Sequence, residues 1–486
     1  MILLYHPKST RPRSRRFPLS VLSLAAVLEG KRDYCIVDGN VESDPLTQLS
    51  NLATAGKAKL LAVSVMPGPQ MVAALDTSRA FRRRHPAVPI VWGGYFPSLY
   101  PDATLNAPYV DFAVRGQGEE TFLELVEALD TGSGFETIRG LSFKSESQHY
   151  HNPARGMKHP DAFPWLPYHR VNAEKYILPT FLGTRTAVHQ ASIGCPYRCN
   201  FCGVIPTYGN QQEMESPERT EAILRHLVRS YGVNAIQFYD NNFFLREDHA
   251  RELCDRLAPL RLNWWCEARI DRVLRYSHRT LESIRRAGCR MIFFGAESGS
   301  DWVLKAMNKQ LTSAQTLELA ERIREFGIIP EFSFVVGNPQ DPERDTRECL
   351  SFIRKIKRIN SDAEIIVQHY TPVPQRDKMY GNVEDRIAFP TTPEEWASER
   401  WLNFTLRISP RVSWLPERVK VLIDNFELVV NSRWPTAQDI RLPNWGRWLL
   451  KVLSSWRYRF AIYTYPVELD WAQRWINLRK PKVESL

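Results

Sequence analysis

The sequence predicts an α/β protein: two successive parallel-sheet units followed by a mainly helical C-terminal region. Three observations carry this. Short apolar runs alternate with amphipathic stretches over the first 130 residues, the alternation resumes before Cys195 and runs to about 369, and beyond 390 it stops. Strand and helix in regular alternation are the signature of parallel sheets with crossover helices. At roughly 100–200 residues per domain, 486 residues leave room for about two to four domains. The boundaries are expected at 1–150 and 181–388 for the two α/β units, with a linker at 151–180 and the helical region at 389–486.

Hydrophobic residues make up 43% and charged residues 24% of the chain, which excludes long disorder and fibrous architectures. Lys and Arg exceed Asp and Glu by 64 to 54, a modest excess that suits an anionic partner or surface without identifying one. No apolar window of about 18–20 residues occurs, so no transmembrane helix is expected. The N-terminus places five apolar residues before Lys8, Arg11, Arg13, Arg15 and Arg16. This is the reverse of a secretory signal, and a cytoplasmic protein is expected.

In the first unit, strands are expected at 2–5, 34–37, 60–65 and 90–92, with helices at 19–28, 46–55 and 71–84 between them. A further strand, glycine turn and helix start follow at 111–122, where Glu119 and Glu120 suit the positive end of a helix. Such sheets bind ligands at the carboxyl ends of their strands. The residues there are Asp38, Gly39 and Asn40, then Ser64 with Met66-Pro67-Gly68, then Gly93-Gly94, and finally Gly116 and Gly118. Paired glycines let backbone approach a bulky flat ligand closely, although tight turns alone explain them as well.

Eight cysteines are too few for a disulfide scaffold. Five are scattered singly and read as small core residues. The other three form Cys195-x3-Cys199-x2-Cys202. Three thiolates on one short loop can hold three corners of a [4Fe–4S] cube and leave one iron open. A structural zinc site would need a fourth ligand. Its nearest candidates are His189, poorly placed in an apparent strand, and His169.

Downstream, strands are expected at 235–239, 263–268, 291–294, 331–336 and 364–369, separated by helices at 217–231, 248–258, 279–287, 313–326 and 344–359. With the strand before Cys195 this makes six parallel strands. Polar residues follow them: Asp240-Asn241, Arg269, Glu297-Ser298-Gly299 and Gly337-Asn338-Pro339. In barrel enzymes the chemistry sits at these ends.

The cysteine spacing, with Phe201 just before the third cysteine, resembles the signature of the radical S-adenosylmethionine superfamily. The resemblance implies a partial (β/α)6 barrel of the TIM type. Its open iron would chelate S-adenosylmethionine, whose reductive cleavage yields a 5′-deoxyadenosyl radical. By the same resemblance Asp240 and Asn241 stand where the cofactor's amine is bound, Arg269 where a polar residue faces it, and Glu297 and Ser298 in the family's Glu-Ser-Gly segment. Asp38, Asn40, Ser64, Gly93, Gly94, Gly116 and Gly118 then resemble the Rossmann-like cobalamin-binding domain of one large subgroup, which includes porphyrin ester cyclases and C-methyltransferases. The resemblance covers about residues 1–380, with two departures. The subgroup's Arg-Gly-Glu-Gly-Glu has Gln117 in its centre here, and no Asp-x-His-x-x-Gly occurs in the first domain. No histidine from that motif is therefore available below the cobalt.

The implied activity is methylation of an unactivated carbon of a small-molecule or lipid-like substrate. The alternative is an oxidative cyclisation, with a non-catalytic iron–sulfur protein less favoured. Methylthiolation is disfavoured because it needs further cysteines in the first domain, which holds only Cys35. A flavodoxin- or ferredoxin-type electron donor is implied. The sequence leaves the residues that act on the substrate unassigned.

In the tail, Thr392 with Glu395 is expected to form a capping box, and a further helix is expected at 416–430. Residues 445–480 interleave Trp445, Trp448, Trp456, Trp471 and Trp475 with Lys451, Arg457, Arg459, Arg474, Arg479 and Lys480. Three readings stay open: a surface lying on an anionic membrane, a substrate-capping helical domain with an aromatic core, and nucleic-acid binding. The last is disfavoured. A peripheral position at the inner membrane surface is the localisation that the first reading implies.

Overall fold

The structure is a computed structural model that describes residues 1–146, 148–373, 387–407, 410–439 and 442–476. Five strands of the first unit are parallel, as expected: β1 (Ile2–His6), β2 (Tyr34–Asp38), β3 (Leu60–Ser64), β4 (Ile90–Gly93) and β5 (Phe112–Val114). Their order is β2-β1-β3-β4-β5, so the direction of winding reverses beside β1. Both faces are covered by helices. Phe81, Trp92 and Phe96 anchor one apolar layer, and Val21, Phe122 and Leu125 the other.

Two antiparallel strands, β6 (Leu141–Ser145) and β7 (Gln148–His151), extend this sheet. The sequence pattern hides them because β7 is an edge strand of polar residues, and an edge needs no apolar alternation. The expected linker beginning at 151 is also more firmly held than a connector requires. Phe17 packs on Tyr168 and Tyr176 at 5.0 and 5.4 Å between ring centroids.

The second unit follows the expected pattern. β8 (Thr186–His189), a short antiparallel ribbon of β9 (Ser192–Gly194) with β10 (Gln212–Met214), then β11 (Ala235–Phe238), β12 (Asn263–Ala268), β13 (Cys289–Glu297), β14 (Ile329–Val336) and β15 (Glu364–His369) succeed one another. Without the ribbon they form one open six-stranded parallel sheet, β8-β11-β12-β13-β14-β15. Helices Pro217–Tyr231, Glu247–Leu257, His278–Arg286, Ser313–Glu325 and Pro342–Ile359 form the outer layer. Local signals set their ends. Ser216 Oγ accepts from Arg219 N at 3.2 Å at one N-terminus, and Gly232 closes the same helix at φ 63°.

The C-terminal region divides in two. Pro393–Trp396 and Glu399–Thr405 strap onto the first sheet, where Trp396, Trp401 and Phe404 join its core. Helix Glu417–Arg433 packs against β15 and helix Pro342–Ile359. Asn444–Phe460 and Val467–Trp475 form an outer pair on it. The described part of the expected helical region 389–486 is helical and comprises a strap and a side layer, because the aromatic residues of 387–404 complete the first domain's core. Thr392 caps its helix as expected, but the Glu395 carboxylate bonds Thr391 N at 2.8 Å, one residue before the cap. The full capping box lies at Thr312 and Gln315. Among the described residues no helix is long and apolar enough to cross a membrane.

Candidate active site

The three cysteines sit on the loop between β9 and the short helix Val204–Tyr208. Cys199 is buried and the other two are partly so. The loop is pinned to the turn after helix Asp301–Ala306. Asn200 Nδ2 donates to Ala306 O and Asn308 Nδ2 to Arg198 O, both at 2.8 Å. Burial pushes the Cys195 thiol up and the Cys202 thiol up to about 11, while Arg269 and Lys309 act on Cys195 in the opposite direction.

These two cations are built in. Arg269 Nη1 lies 3.5 Å from Cys199 Sγ, and its guanidinium stacks 3.6 Å from the Tyr197 ring centroid. Its other nitrogens donate to Asp271 Oδ1 at 2.9 Å and Lys309 O at 2.7 Å. Lys309 Nζ donates to Glu297 Oε1 at 2.6 Å and stands 5.8 Å from the Phe201 ring. Although burial works against the charged form, the attraction of Glu297 and Cys199 holds the Lys309 ammonium above its ordinary range. Glu297 adopts φ 61°, a conformation rare outside glycine. A Cβ at Gly295 would come within 2.3 Å of its carboxylate, so only glycine admits this approach.

The structure therefore brings Phe201, Arg269 and Glu297 to the cysteine loop and adds Lys309. The sequence did not point to Lys309 because it follows a short helix with no motif around it. Ser298 is fully buried beside Glu297 and is bonded into the fold. Its hydroxyl donates to Asp345 Oδ1 at 3.2 Å, while Asp345 Oδ2 accepts from Gly337 N, Asn338 N and Asn338 Nδ2. Ser298 and the Gly337 loop are thus tied together through a carboxylate with no exposed surface. An acid among Cys349, Phe352 and Ile353 on the inner side of helix Pro342–Ile359 was the readable signal for it.

At the end of β11, Asp240 is 1% exposed, and burial pushes its carboxyl up to about 7. Oδ2 accepts from Ala191 N, and Oδ1 has no hydrogen-bond partner. Asn241, expected beside it in the site, is exposed. Its neighbour Asn242 is the buried amide, and neither polar atom of that side chain has a partner. Buried polar atoms left unpaired are costly, so each calls for a partner, whether water or a ligand. Glu267, on β12, is pushed up to about 8 by burial, with Glu331 and Asp240 adding to the effect.

Between the two sheets lies a cleft of about 1360 Å³ of empty space, open to solvent. Ser64, Gly93, Gly94, Gly116 and Gly118 line one wall, and His189, Tyr208 and Glu215 the other. Asp38 and Asn40 are not among the lining residues. Asp38 accepts from Asn40 N at 2.8 Å and from the Tyr176 hydroxyl at 2.9 Å, and Asn40 Oδ1 accepts from Ser9 N and Thr10 N. Both therefore hold the first loop against the linker, a role that the glycine pattern around them did not reveal. That loop also reaches the barrel, where Arg16 Nε donates to Gln237 Oε1 at 3.0 Å. Gln117 uses its amide both ways on the linker, donating to Lys158 O at 3.1 Å and accepting from Lys158 N at 2.7 Å. A carboxylate in its place could only accept.

The donor set suits an iron–sulfur cluster. Three soft thiols lie on one loop, beside two buried cations. His189, the candidate fourth ligand of a zinc site, instead bonds Glu215 Oε2 through Nε2 at 2.8 Å. His169 stands 3.5 Å from Glu29.

Comparison with known proteins agrees with this arrangement. Residues 190–353 match the Radical SAM superfamily and residues 12–126 the B12 binding domain. The chain is 26% identical over 343 residues to an uncharacterized methyltransferase of Pyrococcus horikoshii, covering 70% of this chain and 73% of that one. It is 25% identical over 439 residues to the anaerobic magnesium-protoporphyrin IX monomethyl ester cyclase of Synechocystis, covering 88% and 84%. Among solved structures, the cobalamin-dependent S-adenosylmethionine radical enzyme OxsB with aqua-cobalamin bound superposes with a TM-score of 0.68 at 17% identity, over 98% of this chain and 72% of that one.

Proposed function

The chain belongs to the radical S-adenosylmethionine enzymes that carry a B12-binding domain, and from that premise we propose that it methylates an unactivated carbon of a small-molecule or lipid-like substrate. The observation that carries this reading is the common boundary of the two sites. The glycine-ended strands of the first sheet and the segment leading into the cysteine loop, from His189 to Ile193, line one cleft. When bound, the cluster on the cysteine loop would supply the electron that cleaves S-adenosylmethionine, and cobalamin in the cleft would carry the methyl group.

The chain's own residues would do the positioning. Cys195, Cys199 and Cys202 would hold three irons, with Arg269 and Lys309 offsetting the negative charge of the thiolates. Asp240 Oδ1 and the Asn242 amide offer unpaired acceptors and a donor for the amino and carboxylate groups of S-adenosylmethionine. Gly93 and Gly94 would let a flat macrocycle rest on backbone. The linker residues Pro160, Phe163, Pro164 and Leu166 would close the cleft from the side of the second domain. A flavodoxin- or ferredoxin-type protein would deliver the electrons.

Anaerobic incubation of the cobalamin-loaded enzyme with methyl-labelled S-adenosylmethionine and cell extract tests the proposal. Methylation predicts label in a product, together with both 5′-deoxyadenosine and S-adenosylhomocysteine. Formation of 5′-deoxyadenosine without label transfer would favour the second reading, an oxidative cyclisation. The similarity to the Synechocystis cyclase along most of both chains supports that alternative.

A further inference from the structure

The outer helix pair carries a surface that the proposed chemistry does not use. Ten of the fifteen large apolar side chains that stand exposed among the described residues lie between 445 and 475. On helix Asn444–Phe460 they are Trp445, Trp448, Val452, Trp456 and Phe460, at spacings of three and four that put them on one stripe. On helix Val467–Trp475, Val467, Trp471 and Trp475 repeat every fourth residue. The two stripes meet, because Trp475 contacts Trp445 at 5.4 Å and stacks on Trp471 at 6.0 Å.

These aromatics are not a displaced core. The inner face of the pair is already complete, with Gly446, Leu450, Ser454, Leu469 and Ala472 buried. The hairpin is locked by buried Arg457, which donates to Glu468 Oε2 at 2.9 Å, Thr464 O at 2.8 Å and Tyr465 O at 3.0 Å. Turning the tryptophans inward would break this set. Helix Asn444–Phe460 contains four basic residues and no acidic one. Lys451, Arg459 and Arg474 are exposed on the pair, whereas Glu468 is taken up by Arg457 and half-buried Asp470 is the other acid of the second helix, leaving a basic excess.

We propose that this face is a membrane-binding surface that seats the enzyme on an anionic lipid leaflet. Trp and Phe suit the headgroup–acyl boundary, and Lys and Arg meet the headgroups. A second copy of the chain fits less well, since a two-fold contact pairs a patch with itself and would bring together two copies of the basic set Lys451, Arg459 and Arg474. A nucleic acid fits less well too. Val452, Ile462 and Val467 offer bases nothing to stack on, and Trp471 and Trp475 already stack on each other. The proposal is independent of the reaction assigned above.

Co-sedimentation of the full-length, anaerobically reconstituted protein with vesicles tests it. Binding is expected to mixed phosphatidylglycerol–phosphatidylcholine vesicles above pure phosphatidylcholine, and to fall with added salt. Each basic residue near an anionic leaflet contributes about fivefold in binding. Lys451→Glu/Arg459→Glu/Arg474→Glu should therefore lose about a hundredfold or more and abolish the preference for anionic lipid. Trp448→Ala/Phe460→Ala/Trp471→Ala should weaken partitioning to both vesicle types by roughly tenfold or more. Iron content and circular dichroism equal to wild type would show that both triple variants are folded. The proposal is overturned if wild type stays in the supernatant with both vesicle types or if the aromatic variant binds like wild type. It is also overturned if sedimentation equilibrium finds a dimer that the aromatic variant dissolves, which would make a second copy the occupant.

Discussion

Lys309 and Glu297 form an ion pair at 2.6 Å in which each side chain is 8% exposed, and Lys309 also acts on the sulfur of Cys199. The pair joins the end of β13 to the turn that follows helix Asp301–Ala306, beside the cysteine loop. Its geometry requires a left-handed Glu297 and a glycine at 295.

Removing one partner of a buried pair leaves the other charge uncompensated, at about 3–5 kcal/mol. Lys309→Met is therefore expected to lower unfolding free energy by that order, and Lys309→Met/Glu297→Gln to recover most of it. Denaturant unfolding under anaerobic conditions measures both. A single-variant loss below about 1 kcal/mol would show the pair to be solvated.

Anaerobically reconstituted protein is expected to bind about four irons and to show a reduced-cluster signal that changes with S-adenosylmethionine. Cys195→Ala, Cys199→Ala or Cys202→Ala should each abolish the cluster. Cys254→Ala and Cys349→Ala, which alter buried thiols away from the loop, should leave iron content unchanged. One tightly held zinc without iron would refute the assignment.

Asp240 gives a pH signature. Its folded carboxyl titrates near 7 against an ordinary 3.8, because burial disfavours the charged form. A raised acid pKa means that the folded state holds the proton more tightly. The contribution to stability is complete below about pH 4 and is lost as pH rises toward 7. Asp240→Asn should flatten that decline in thermal unfolding of the protein without S-adenosylmethionine. If Asp240 binds the cofactor's ammonium, wild-type affinity should also rise between pH 6 and 8, and the variant's should not. Parallel profiles for the two proteins would remove Asp240 from the site.

For the cleft, Gly93 is the informative position. A Cβ there meets nothing closer than 3.7 Å, so Gly93→Val is expected to fold normally. Its side chain would nonetheless occupy the wall on which a macrocycle rests. Hydroxocobalamin binding by the full chain should fall by roughly tenfold or more, which is about 1.4 kcal/mol. In wild type the cobalt spectrum should show no nitrogen ligation from below and should not change with His6→Ala or His85→Ala. Neither histidine lines the cleft. Unchanged affinity in Gly93→Val would place the corrin elsewhere.

What the sequence determined by itself was whatever repeats or is local in the chain. Parallel strands buried on both faces read as apolar runs, amphipathic helices show their period, and three cysteines within eight residues declare a shared ligand. These signals were enough for the parallel strands of both sheets and for the cysteine loop, whereas β6 and β7 were missed and Arg269 and Glu297 were marked for the site only by the family resemblance. Tertiary structure decided the contacts whose partners lie far apart. It assigned Asp38 and Ser298 to structural ties with Tyr176 and Asp345, turned Asn242 rather than Asn241 inward, and placed Lys309 beside Cys199. It also sorted the tail. The aromatics of 387–404 pack into the first domain's core, and those of 445–475 stand exposed. Both stretches carry tryptophan and phenylalanine among charged residues. Only the presence or absence of a facing apolar surface separates a core tryptophan from one that meets solvent or lipid, and that surface is contributed by residues hundreds of positions away.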